Sequence, residues 1–199
     1  MKSKIIEKNP INWENVIEID DIVMQPQLIE SHRNKINTIF ANKDEVYRDD
    51  QLNKVILHDL LFTKSMDTLV QFYKFEFNEE ELAEIIKMIK VSYSHLDDKA
   101  LRTIAEKTVV RELIFADLQN EFNISVNEEE INKILLGYYE TTNQSIREFM
   151  NNEEQKNAAR SSILGEKTIA FIISKFKFDL SKLSKKIAEF TSKQSEKNK

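Results

Sequence analysis

The chain contains no cysteine, and only two glycines and two prolines in 199 residues. Without cysteine there is neither a disulfide framework nor a thiolate metal site, which suits a reducing compartment. Tight hairpin turns and phosphate-cradling loops draw heavily on glycine. Gly137 and Gly165 cannot supply the G-x-x-x-x-G-K-[ST] loop of a nucleotide-driven machine. No stretch approaches the roughly 20 apolar residues of a membrane span. Met1 to Asp20 holds no apolar run of seven or more residues, so a secretory leader is not expected. A basic excess is also missing: 29 Lys and Arg face 34 Asp and Glu, a net charge of -5, whereas binding to a phosphate backbone calls for the opposite sign. The expectation is a soluble cytoplasmic protein with no DNA partner and no stable membrane insertion.

What is present is helix. Hydrophobic residues make up 41% of the chain, enough for a core, and charged residues of both signs make up 32%, as solvated helix faces do. A helix is predicted after Pro26, with Leu28, Ile29, Ile36, Ile39 and Phe40 on its apolar side, and Asn42-Lys43-Asp44 as a break. A long helix is predicted from about Asp49 to Tyr73, striped by Leu52, Val55, Ile56, Leu60, Phe62, Met66, Leu69, Val70 and Tyr73. A second is predicted over about Lys99 to Phe122. One seam there runs through Leu101, Ile104, Thr108, Arg111, Phe115, Leu118 and Phe122, with Val109, Leu113 and Ala116 beside it. A third runs from about Glu153 to Lys175, with Ala158, Ser162, Ile163, Ile169, Ile172 and Phe176 on its face. Val16 to Val23 suits a short strand or an extended arm. Glu128 to about Glu140 and Ser145 to Met150 suit shorter helices.

The most informative feature is an echo. Phe75-Glu76-Phe77-Asn78-Glu79-Glu80-Glu81-Leu82 returns as Ile124-Ser125-Val126-Asn127-Glu128-Glu129-Glu130-Ile131, and more weakly as Phe176-Lys177-Phe178-Asp179-Leu180. A period of about fifty residues signals stacked supersecondary units. Asn followed three residues later by Glu is a variant of the capping box, and the glutamates suit the positive end of the helix dipole. Three consecutive helical residues point about 100° apart, so the triplets read as caps and not as metal or acid-base clusters. His32, His58 and His95 lack any ligand spacing such as H-E-x-x-H. No catalytic residue, cofactor or metal ligand is expected, and the chain is not read as an enzyme.

The repeated order of long helix, apolar step, cap and short helix resembles the C-terminal chaperone domain of bacterial trigger factor, a helical pattern shared with the SurA-type periplasmic chaperones. The stretches that carry the resemblance are Lys107-Thr108-Val109-Val110-Arg111-Glu112-Leu113-Ile114, Tyr138-Tyr139-Glu140, Ile146-Arg147-Glu148-Phe149-Met150 and Ala158 to Phe178. The run from Tyr138 to Glu148 is also similar to that of a stand-alone mycoplasma protein of this type. The resemblance covers roughly residues 28–178. It implies an all-α, elongated, multi-lobed protein, with long helices and protruding arms around a cradle. The chain accordingly divides into an N-terminal arm over 1–25, a domain over 26–178 that resembles the helical chaperone domain, and a basic tail over 179–199. Between residues 182 and 199 that tail carries six lysines and two glutamates.

The implied function is ATP-independent holding of unfolded or nascent polypeptide. Ribosome docking and prolyl-isomerase activity are not carried over, because no Gly-Phe-Arg-type docking loop is present and the chain is too short and glycine-poor for an inserted isomerase domain. The candidate polypeptide-binding residues are Phe72, Tyr73, Phe75, Phe77, Tyr138, Tyr139, Phe149 and Met150. The first four read first as packed core at the base of an arm, and second as a client-facing patch. The last four flank an expected bend, where apolar side chains stay accessible. Non-native polypeptides are the expected partners, with self-association left open. The alternative is a helical scaffold that binds one defined partner or itself.

Overall fold

The computed structural model describes residues 2–22, 24–142 and 153–186; the side chains of 135 and 138–142 are not described. The elements in chain order are β1 (Lys4–Lys8), β2 (Val16–Glu18), α1 (Pro26–Ile39), α2 (Glu45–Leu69), a 3-10 turn (Val70–Phe72), β3 (Tyr73–Glu76), α3 (Glu79–Ser92), α4 (Asp98–Glu121), α5 (Glu128–Thr142), α6 (Glu153–Lys175) and β4 (Lys177–Asp179). Residues 181–186 are helical. The fold is thus helical, with two small two-stranded ribbons. The helix expected over Ser145 to Met150 and the bend after it lie outside the described residues.

The chain forms two compact units, each assembled from two segments. One comprises Met1–Asn9 and Phe72–Phe171, the other Pro10–Gln71 and Ile172–Lys199. In the first, α3 and α4 form an antiparallel hairpin. Leu82, Ala105 and Val109 are its buried centre, with Phe77, Ile85, Ile86, Ile89 and Leu113 packed around them. Arg102 of α4 grips Glu79 of α3 through two hydrogen bonds of 2.8 Å. The buried line of α4 is Leu101, Ala105, Val109, Ile114 and Leu118, about one residue round from the predicted seam. Arg111 and Ala116 face solvent. Small Ala105 is fully buried in that centre. Asn123, with φ of 52°, ends α4: Ile124 N–H donates to Gln119 O at 2.9 Å, the Schellman arrangement that Asn tolerates. Next to it, Ile131 of α5 and Ile163 of α6 pack together with Val126 and Ala159. Thr168 is fully buried and satisfied, receiving Gln119 Nε2 at 2.9 Å and donating to Leu164 O at 2.7 Å.

In the second unit α1 packs on α2 around Ile36, Leu52 and Ile56, with Met24, Ile29, Phe40 and Val55 at the margin. Asp44 caps α2 by accepting Tyr47 N–H at 2.8 Å, so the helix starts four residues before the predicted Asp49. It ends at Leu69 instead of Tyr73, because Tyr73 is taken into a strand paired with Lys8. Ile39, expected on the apolar side of α1, is 68% exposed; it lies one position, or about 100°, from Phe40. β2 pairs with β4 in parallel. Three ion pairs run alongside this ribbon: Lys177 to Glu14 at 2.5 Å, Lys182 to Glu18 at 2.5 Å and Lys186 to Asp21 at 3.1 Å. Part of the basic tail therefore already has acidic partners within the chain.

Candidate functional site

The two helical hairpins present the same arrangement at their turns. In α3, Leu82, Ile85, Ile86 and Ile89 face α4. Met88 and Val91 are turned away, 66% and 85% exposed, and Tyr93 beyond them is also exposed. The turn itself is ordered: Tyr93 N–H donates to Ile89 O at 2.9 Å, Leu96 N–H to Tyr93 O at 3.1 Å, and Asp97 caps α4 through Ala100 N–H at 2.7 Å. Lys90 and Asp98 pair at 3.4 Å beside the patch. In the α1–α2 hairpin, Ile39 precedes the turn and Val46, 80% exposed, follows it. Phe40 and Tyr47 meet edge to face at 5.4 Å, with Lys43 over the Tyr47 ring. Ile134 and Leu136 of α5 add a further exposed pair.

The four candidates around the first apolar step, Phe72, Tyr73, Phe75 and Phe77, lie apart from these turns. Tyr73 is buried, and its hydroxyl donates to Asp117 Oδ2 at 2.9 Å; burial first, then that hydrogen bond, pushes its pKa far above the usual phenol value. Phe75 stacks between Tyr73 and Phe77, at 6.0 and 6.3 Å, and Phe77 packs against the Leu82 centre. Phe72 is half-buried. Tyr138 and Tyr139 are on α5, but their side chains lie outside the description, as do Phe149 and Met150 altogether. Sequence reasoning does not single out the exposed residues of the α1–α2 turn, because Val46 precedes the predicted helix start and Ile39 falls on the predicted apolar side of α1. Their signal was an apolar residue placed off the buried stripe beside a polar turn.

His32 and His58 meet around one carboxylate. His32 Nε2 is 2.9 Å from Asp59 Oδ2, in an alignment too poor for a hydrogen bond, and His58 Nδ1 is 3.7 Å from Asp59 Oδ1. Among the described residues no group of three acidic or imidazole ligands could hold a metal ion. The grooves along α1, lined by Pro26, Glu30, Ser31 and Asn34, and along α5, lined by Glu129, Lys133 and Leu136, are shallow and open.

Residues 50–174 match the model of the bacterial trigger factor protein C-terminus. The chain belongs to the trigger factor C-terminal family. Two relatives in this family's company are the uncharacterized protein MG377 of Mycoplasma genitalium, 31% identical over 179 residues, and its homolog in Mycoplasma pneumoniae, 30% identical; each alignment covers 89% of this chain and 93% of the relative. The crystal structure of the hypothetical Mycoplasma protein MPN555 superposes with a TM-score of 0.79 at 30% identity, covering 90% of this chain and 91% of that one. The trigger factor C-terminal domain is a chaperone-type, non-catalytic domain. Among the described residues, no helix is long and apolar enough to cross a membrane.

Proposed function

We propose that the protein is an ATP-independent holdase that binds unfolded or nascent polypeptide through apolar side chains at its helical hairpin turns. The observation that carries this reading is the α3–α4 turn, where Met88 and Val91 stay exposed while Leu82, Ile85, Ile86 and Ile89 pack towards α4. An unfolded chain offers apolar segments of no fixed shape. A binder suited to it keeps accessible apolar area on an adaptable surface, and Met and aromatic side chains provide that. Covering about 200 Å² of such area gains on the order of 5 kcal/mol before the costs of association. Patches on more than one hairpin add through effective concentration. Family membership supports the same reading, and the sequence carries no G-x-x-x-x-G-K-[ST] loop for nucleotide.

The test is light scattering of a chemically denatured client diluted into buffer without ATP. Equimolar protein suppresses scattering, and catalytic amounts do not. Met88→Ser with Val91→Ser lowers the capacity at least twofold while stability changes by no more than about 0.5 kcal/mol per surface site. Unchanged scattering at equimolar protein refutes the reading. A saturable complex with a single partner in place of many clients favours the scaffold alternative.

A further inference from the structure

The N-terminal strand β1 occupies its place as a guest would. Of Lys4–Lys8 only Ile5 is half-buried, and the rest is exposed. The strand is held along its middle by main chain: Lys4, Ile5, Glu7 and Lys8 oppose Glu76, Phe75, Lys74 and Tyr73, with a bulge at Ile6. Asn9 N–H continues the pairing to Phe72 O at 2.8 Å. Side chains are read at the two ends. At the front, buried Ser3 donates its N–H to Glu81 Oε2 at 2.7 Å, and its hydroxyl oxygen accepts Asn78 N–H at 2.9 Å. At the back, Lys8 Nζ bonds Asp117 Oδ2 at 2.6 Å and also Glu121, above the Tyr73 ring. Two carboxylates face that one ammonium group, so the pocket favours a cation.

The cap that Ser3 engages has a closed counterpart elsewhere in the same chain. At Asn127 the capping box is closed: Glu130 N–H donates to Asn127 Oδ1 and Asn127 N–H to Glu130 Oε2, both at 2.9 Å. At Asn78 only the first half exists, Glu81 N–H to Asn78 Oδ1 at 2.9 Å; Ser3 has come between Glu81 and Asn78 N–H. When Ser3 leaves, Glu81 can return to Asn78 N–H, so that this amide keeps an acceptor. The departure of β1 also frees an edge of β3 for another strand.

We propose that the β3 edge, together with the Asn78–Glu81 box and the Asp117–Glu121 pair, is a second binding site, for an extended polypeptide segment with a small hydroxyl residue followed five positions later by a lysine, and that β1 is its tethered resting occupant. Strand addition supplies sequence-tolerant main-chain hydrogen bonds, and the end pockets supply selectivity. This site is independent of the hairpin turns. A tethered strand competes at an effective concentration of order mM, so a guest binds measurably when the tether is weakened.

The probe is a fluorescein-labelled peptide spanning Lys2 to Pro10, titrated into the full chain by fluorescence anisotropy. Lys8→Glu in the chain repels its own strand from Asp117 and Glu121 and raises peptide affinity at least tenfold over the unsubstituted chain. The peptide carrying Lys8→Glu binds that variant at least tenfold more weakly than the native peptide. A lock provides the second arm. Lys4 and Glu76 are exposed, opposed in the ladder and ion-paired at 3.2 Å, and the chain has no other cysteine. Lys4→Cys with Glu76→Cys therefore forms one cross-strand disulfide, since opposed Cα atoms about 4.5–5.5 Å apart lie within disulfide reach. The reduced form binds peptide and the oxidised form loses at least tenfold in affinity. Equal affinity of oxidised and reduced forms, or no binding by any variant, overturns the proposal, whatever the outcome of the scattering assay.

Discussion

The turns before α3 and α5 share the order apolar, any, apolar, Asn, Glu, Glu, Glu, apolar, yet they finish in different states. Before α5, Ile124-Ser125-Val126 is not a strand; Lys167 Nζ donates to Ser125 O at 2.6 Å and to Glu130 Oε1 at 2.7 Å, and the box around Asn127 is closed. Before α3, Phe75 and Glu76 of the same step end β3, paired with β1, and the box is opened by Ser3. The third copy, at Lys177–Asp179, is again a strand, paired with β2. The N-terminal segment supplies partners for the first and third copies. Local sequence sets what each copy can become, and the presence of a partner strand decides which form it takes, as expected where a lone two-residue alternation is too short to hold a strand by itself.

The largest effect that tests this comparison is in the core. Leu82 and Ile131 occupy the same place, four residues after each capping Asn, and both are almost fully buried. Leu82→Ala and Ile131→Ala each cost about 2–5 kcal/mol, read by denaturant titration with native-state hydrogen exchange to separate the two clusters. A disparity beyond about twofold in cost means that the copies differ below the cap as well as at it.

The caps come next. Asn78→Ala and Asn127→Ala each cost about 1 kcal/mol, seen as lost amide protection in the first turns of α3 and α5. Ser3→Ala costs less than Asn78→Ala, because Glu81 then recloses on Asn78 N–H. Equal costs contradict the recloseable box.

The smallest effect is in acid. Glu81 is held below its ordinary value of 4.5 by the Ser3 hydroxyl and then the Ser3 N–H; Glu130 is held below it by Lys167 and then Asn127 N–H. A carboxylate with a depressed folded pKa contributes stability that is present above its unfolded value and is lost as pH falls through the folded value. Protection of the Ser3 amide therefore holds above about pH 4.5 and fades below it. Glu81→Gln removes that pH dependence and Glu130→Gln leaves it unchanged. Protection that is flat from pH 6 to pH 3 in the unsubstituted chain contradicts the role given to Glu81.

The helices and their caps were legible because the determinants are local. Asn78 and Asn127 lie next to the groups they cap, and the α2 stripe of Leu52, Ile56, Leu60 and Leu69 is written at four- and nine-residue steps. Strand pairing was not legible, since nothing around Phe75 names Ile5 as its partner seventy residues earlier. The exposure of Val46, Met88 and Val91 was hidden for a different reason. An apolar residue in a helical pattern carries no mark of whether a neighbour covers it, and that depends on where the facing helix ends. The α4 line differs because Ala105, too small to stand out in an apolar pattern, is part of the buried centre with Leu82 and Val109.

Trp13 is the sole tryptophan, and its ring rests 5.1 Å from that of Phe176. Both belong to the unit made of Pro10–Gln71 and Ile172–Lys199. Intrinsic emission excited at the red edge is thus a built-in optical gauge of that unit, and an introduced fluorophore near Lys8 would give the other unit a colour of its own.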